Sequence, residues 1–212
     1  MPDNNRSALR LATTKLAEIK AILLFDLRKI WYPALAITPI VCLLAGVLYA
    51  NGMLGNENQV KGFMENISPP ILAVAAGLAL VRLAISRKPY FIWLAALCGA
   101  FFCRELHFKG TSDGIYVALA ILLLLAGLKY SLFAEYFSSR TVITLISCLF
   151  FTYFIAVTFD QRWYTFIPNA RKYYRPVGEI VEVTGHCFAF LLALLSRKTS
   201  PVFSPADAAA KR

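Results

Sequence analysis

"VGEIVEVTGHCFAFLLALL", residues 177–195, has the length of a membrane span and carries two glutamates and a histidine. A helix needs roughly 20 mostly apolar residues to cross a hydrocarbon core about 30 Å thick. Ionisable groups are costly in that core, and those present face the bundle interior or a water-filled cavity. At about 100° per residue, Glu179, Glu182 and His186 fall within an arc of about 60° and spread over roughly 10 Å of helix axis. The same face continues with Ala189 and Ala193, which admit a close helix neighbour. The stretch therefore reads as a membrane helix that turns three ionisable side chains toward its neighbours.

The rest of the chain fits that reading. Of 212 residues, 58% are hydrophobic and 16% charged, with a mean hydropathy of +0.60. Soluble domains sit near 45–50% apolar and about 25% charged. The apolar residues gather into six runs, at about 31–49, 69–86, 90–106, 114–129, 141–159 and 177–195. The expected fold class is an all-α integral membrane protein of six transmembrane helices, preceded by an amphipathic N-terminal helix over 7–30. In that segment Leu9, Ala12, Leu16, Ile19, Leu23, Leu27 and Ile30 recur at steps of three or four. Such a helix lies in the cytoplasmic interface or packs on the bundle. Residues 1–6 and the tail 196–212 are expected to be disordered. Residues 50–68 read as a polar loop, and Pro69-Pro70 as a helix start. The first thirty residues hold six basic and three acidic groups, unlike a cleavable leader, so the first span is expected to act as a signal-anchor.

The formal charge is +10. No nucleic-acid-binding motif accompanies it, so nucleic acid is not an expected partner. Membrane lipids are, because the basic residues flank the spans. With six spans, 14 Lys and Arg lie on the side of both termini and seven on the other side, which places both termini in the cytoplasm of a bacterial-type inner membrane. Arg82 lies late in the second run, where its long side chain can snorkel to the cytoplasmic surface. The five cysteines fall in spans and form no CxxC, which excludes a thiol-redox motif.

That topology brings the ends of three spans to one outer level. The third run ends in "CRELHFKGTSD", residues 103–113, with Arg104, Glu105, His107 and Asp113. The fifth ends in Asp160, Gln161 and Arg162, and the sixth begins with Glu179, Glu182 and His186. Two imidazoles and a carboxylate can hold Zn²⁺ or another divalent metal. His107, His186 and Glu182 are the candidate ligands, and Glu105 or Glu179 the candidate catalytic base. The same groups can instead relay protons or bind an ion or headgroup, or pair with Arg104, Arg162 and Arg175 as a structural network. In the connection 160–176, Arg162, Arg171, Lys172 and Arg175 alternate with Trp163, Tyr173 and Tyr174. Aromatic and basic residues together suit the headgroup level, and they can hold a lipid or dock a membrane-protein partner.

Three function classes follow. One is a membrane protein that binds or acts on a lipid or envelope-linked substrate at this outer site. The second is a non-catalytic subunit or scaffold of a membrane complex, and the third a proton- or ion-coupled carrier. Glycine-rich phosphate loops, CxxCH and serine nucleophile elbows are absent from the sequence. The last span also lacks the paired HxxxH of the alkaline ceramidase-like superfamily.

Overall fold

The computed structural model describes residues 28–106, 111–166 and 170–197, with side chains of 111–116 left aside. The described part is all helical. A 3-10 segment, Tyr32–Ala36, leads into α1 (Ile37–Ala50). Then come α2 (Glu57–Ser86), α3 (Pro89–Glu105), α4 (Thr111–Leu128), α5 (Tyr130–Phe137), α6 (Arg140–Asp160) and α7 (Tyr174–Leu195). The amphipathic segment expected at 7–30 lies outside the described residues up to position 27, and residues 28–30 form a turn and bend.

Among the described residues, four helices are long and apolar enough to cross a membrane, namely the 3-10/α1 unit, α2, α6 and α7; the bent pair α4–α5 can supply a fifth. The chain is therefore a multi-span membrane protein. Its outward surface agrees with this. On α1, Ile40, Leu43, Leu44 and Val47 are 55–71% exposed at helical spacing, a stripe suited to hydrocarbon rather than water. α3 has 17 residues, shorter than α6 with 21 and α7 with 22. α4 ends at Leu128, and the chain bends by 87° across Lys129 into α5.

Residues 57–68 are helical, not a loop. Asn56 accepts from the Gln59 N–H at 3.0 Å, and Gln59 Oε1 accepts from the Asn56 N–H at 2.9 Å. This reciprocal cap satisfies two donors at the start of the helix. The helix then runs through Pro69 and Pro70, each of which removes one backbone donor. Its 30 residues measure about 45 Å, longer than the hydrocarbon core, so the capped end projects beyond the apolar span.

Contacts at each end establish helix direction. Tyr49 at the end of α1 meets Tyr173 edge-on, with ring centres 5.9 Å apart, and Glu57 at the start of α2 pairs with Arg175 at 3.2 Å. The ends of α3 and α6 reach the same level, through Arg104 and Asp160. This is the site end. At the far end, Arg82 donates to the carbonyls of Ala193, at 2.8 Å, Leu194 and Ser196, and stacks over Phe91. Those carbonyls have no partner within the terminating helix, and the guanidinium supplies one. Arg82 is thus anchored on α7 instead of ending in free solution. Tyr90 Oη and Ser196 Oγ, 2.7 Å apart, close the same corner.

α7 is the packing axis, lying against α6, α2 and α1. Its small residues Gly178, Gly185, Ala189 and Ala193 are all buried. A Cβ on Gly185 would stand 3.1 Å from the Tyr153 ring of α6. That ring is itself confined, because Phe101 stacks on it with ring centres 4.0 Å apart. A buried hydroxyl contact of 2.6 Å between Thr38 and Thr152 ties α1 to α6. Gly185→Ala should therefore overpack the α6–α7 seam and cost about 1–3 kcal/mol. Thermal unfolding in detergent reads this as a lowered midpoint, and an unchanged midpoint would contradict the packing described.

Candidate functional site

Two adjacent residues at the end of α3 face different neighbours. Arg104 forms ion pairs with Glu182 of α7 and with Asp160 of α6, the latter at 3.4 Å. Glu105 places a carboxylate oxygen 3.5 Å from Nε2 of His186. Consecutive positions on a helix point about 100° apart, so the end of α3 must lie where α6 and α7 are both within reach.

His186 is fully buried. Its Nδ1 lies 3.2 Å from Ser68 Oγ, one residue before the proline pair of α2. A histidine fixed through one ring nitrogen presents the other in a set direction. Here that nitrogen is Nε2, buried, near the carboxylates and, among the described residues, without a hydrogen bond of its own. Glu105, Glu182 and His186 each offer a ligand atom, and the three atoms lie within 4.8 Å of one another. The three form a buried carboxylate–histidine cluster capable of coordinating a divalent metal. One imidazole nitrogen and two carboxylate oxygens suit Zn²⁺ and similar borderline ions, with an open position for water or substrate.

Tyr153 extends the cluster inward. Its ring centre lies 5.8 Å from that of His186, and its hydroxyl is buried without a hydrogen bond. Beyond the cluster, contacts run from Ser68 through His186 and Glu105, and from Glu182 through Arg104 to Asp160. Four helices, α2, α3, α6 and α7, meet in this way.

The remaining candidate residues lie around it. Glu179 sits one turn nearer the start of α7, outside the three-residue cluster. The charges acting on it are Glu65 and Lys61 of the projecting part of α2, together with Glu105 and Arg175. His107 lies outside the described residues, as does the side chain of Asp113. In the connection, Tyr174 is buried and donates to the Arg162 carbonyl at 3.4 Å, Tyr173 meets Tyr49, and Arg175 holds Glu57. Arg162, Trp163, Arg171 and Lys172 are exposed. Arg162 turns the chain with a positive φ of 54°, and Tyr164 packs back on Phe159 and Thr158.

Sequence reasoning brought Glu105, Glu182 and His186 to one end but missed Ser68 and Tyr153. Ser68 was discoverable in principle. It lies on the buried face of α2 with Leu72, Ala75 and Ala79, at steps of three or four, but only once residues 57–68 are read as helix. Tyr153 carries no signal, since an aromatic on an apolar helix face is ordinary core.

No family model, curated protein or solved structure matches this chain. Its function is therefore argued from the site.

Arg104 and Glu182 are both mostly buried, with 19% and 14% of their side chains exposed. Removing one member of such a pair leaves an uncompensated charge, at a cost of about 3–5 kcal/mol. Arg104→Gln should lose that much stability, and adding Glu182→Gln in the same chain should recover a large part of it. A double-mutant cycle on detergent-solubilised protein measures the coupling; an additive result would show that the pair does not interact.

Proposed function

We propose that the protein crosses the membrane six times and binds a divalent cation in the Glu105–Glu182–His186 cluster, which opens to the outer face of a bacterial-type inner membrane. There it binds or acts on a lipid or envelope-linked substrate. The observation that carries this reading is the buried Nε2 of His186, which has no hydrogen bond among the described residues and lies 3.5 Å from a Glu105 carboxylate oxygen, within the three-residue cluster.

Six crossings are supported by the end contacts, which make successive long helices alternate in direction. α3, with its 17 residues, covers about 26 Å, and oblique packing or local thinning of the bilayer accommodates the shortfall. The excess of Lys and Arg on the side of both termini supports a cytoplasmic location for them. The exposed Arg162, Trp163, Arg171 and Lys172 then lie at the outer headgroup level, next to the cluster. They are suited to holding the phosphate of a lipid-linked substrate.

A cation bound here would polarise a phosphoryl or carbonyl oxygen and lower the pKa of its water. The protein's own groups have separable roles. His186 and the two carboxylates hold the ion, Ser68 fixes the ring, and Arg104 supplies a guanidinium for an anionic group. Glu179, one turn closer to the surface, is placed to take a proton from an entering water.

A second reading rests on a different contact. Arg104 bridges Glu182 and Asp160, as a structural ion network does. In that case the protein is a non-catalytic subunit, and the exposed loop residues dock a protein partner.

Elemental analysis separates the two. Protein purified without chelator should carry about one divalent ion per chain. His186→Ala should abolish that binding, and Ser68→Ala should weaken it about 10–100-fold, as loss of a ligand-orienting partner does. Equal, negligible metal in wild type and His186→Ala would leave only the structural reading.

A further inference from the structure

A concavity lies at the far end, away from the cluster. It is a lateral groove of about 500 Å³ between the start of the first span, α6 and α7. That volume is within the roughly 300–1,000 Å³ of small-molecule sites. Trp31, Ile37, Arg140, Thr144, Cys148 and Phe188 are among its lining residues.

The groove is polar only at one end. Arg140, the first residue of α6, is exposed at its mouth, and among the described residues no carboxylate pairs with it. Trp31 lines the groove too, 53% exposed, its backbone N–H donating at 3.0 Å to Thr144 Oγ1, one turn along α6 from Arg140. Arg28, also exposed, precedes it by three residues. From Arg140 to Cys148 the groove descends about 12 Å along α6. One leaflet of the hydrocarbon core is about 15 Å deep. The outer wall belongs to the lipid-facing surface, since Ile37 is 41% exposed and the α1 stripe continues from it.

We propose that this groove is a binding site for one anionic phospholipid of the leaflet at the far end. An acyl chain lies along Ile37, Cys148 and Phe188, and its phosphate is held by Arg140 beside the Trp31 indole. The charge at the mouth selects the headgroup. Guanidinium binds phosphate by paired, charge-assisted hydrogen bonds, whereas a zwitterionic headgroup brings its own cation to the same place. The apolar depth selects a chain over a soluble anion. The site does not depend on the cation reading of the opposite end, and neither Arg140 nor Trp31 belongs to that cluster.

Trp31 is a built-in reporter. The chain has three tryptophans; Trp93 is buried and Trp163 lies at the other end. The protein is reconstituted into phosphatidylcholine vesicles with increasing fractions of bromine-labelled phosphatidylglycerol, and in parallel with bromine-labelled phosphatidylcholine. Quenching is assigned to Trp31 by its loss in Trp31→Phe. Wild type should reach half-quenching at a mole fraction at least about fivefold lower for the labelled phosphatidylglycerol. Arg140→Gln should bring the two curves together, and Ile37→Phe, which fills the groove without adding a tryptophan, should reduce the part of the quenching that shows headgroup preference. Coincident curves in wild type, or a preference that survives Arg140→Gln, would overturn the proposal.

Discussion

One guanidinium, mostly withdrawn from water, serves two carboxylates on two different helices. This contact governs the site end. Arg104 cannot satisfy Glu182 and Asp160 unless the ends of α3, α6 and α7 stand together at one level. A partly buried charge without partners costs several kcal/mol, more than the packing of an average side chain returns. Once α3 is so placed, its next residue has little choice. Glu105 points about 100° further round and meets the imidazole of His186. The cluster is thus a consequence of where Arg104 must sit.

The far end has its own arginine, and the difference in chemistry is instructive. Arg82 donates to three carbonyls at the end of α7 and stacks on Phe91. Carbonyls are neutral and fixed, so this contact is a static cap. Arg104 instead holds carboxylates, which are also the natural ligands of a metal ion. A cation held in the cluster would compete with the guanidinium for Glu182, leaving Asp160 as the second partner of Arg104. Arg82 thus closes one end of the bundle on neutral carbonyls, whereas Arg104 pairs with groups that can also serve as metal ligands.

Much of this was legible in the sequence, for identifiable reasons. Apolar runs of span length located α1, α6 and α7 to within a few residues, because hydrocarbon thickness imposes their length. The 60° arc placed Glu182 and His186 on one face, and topology brought Glu105 to them. Two features resisted. Pro69-Pro70 reads as the beginning of a helix, yet α2 starts at Glu57, and the Asn56–Gln59 cap was a signal that the prolines masked. With residues 57–68 taken as loop, Ser68 had no helix face, and the hydrogen bond that orients His186 could not be anticipated. Pairing of the α7 glutamates with Arg104, Arg162 or Arg175 was expected, but which carboxylates take Arg104 was not legible, since several shared its level and only three-dimensional packing chooses among them. The aromatic connection was read as an interfacial element that could hold a lipid or a partner. Tyr173, Tyr174 and Arg175 also serve the fold, through Tyr49, the Arg162 carbonyl and Glu57.

The central claim is that α3 and α7 deliver Glu105 and His186 to one point. Proximity labelling tests it most directly. In a chain whose native cysteines are replaced and whose 160–173 connection carries a protease site, Glu105→Cys is paired with His186→Cys and, separately, with Thr184→Cys. A short bifunctional thiol reagent should keep the two fragments joined after cleavage for the first pair and leave them separable for the second. Efficient joining through position 184, with none through 186, would contradict the account.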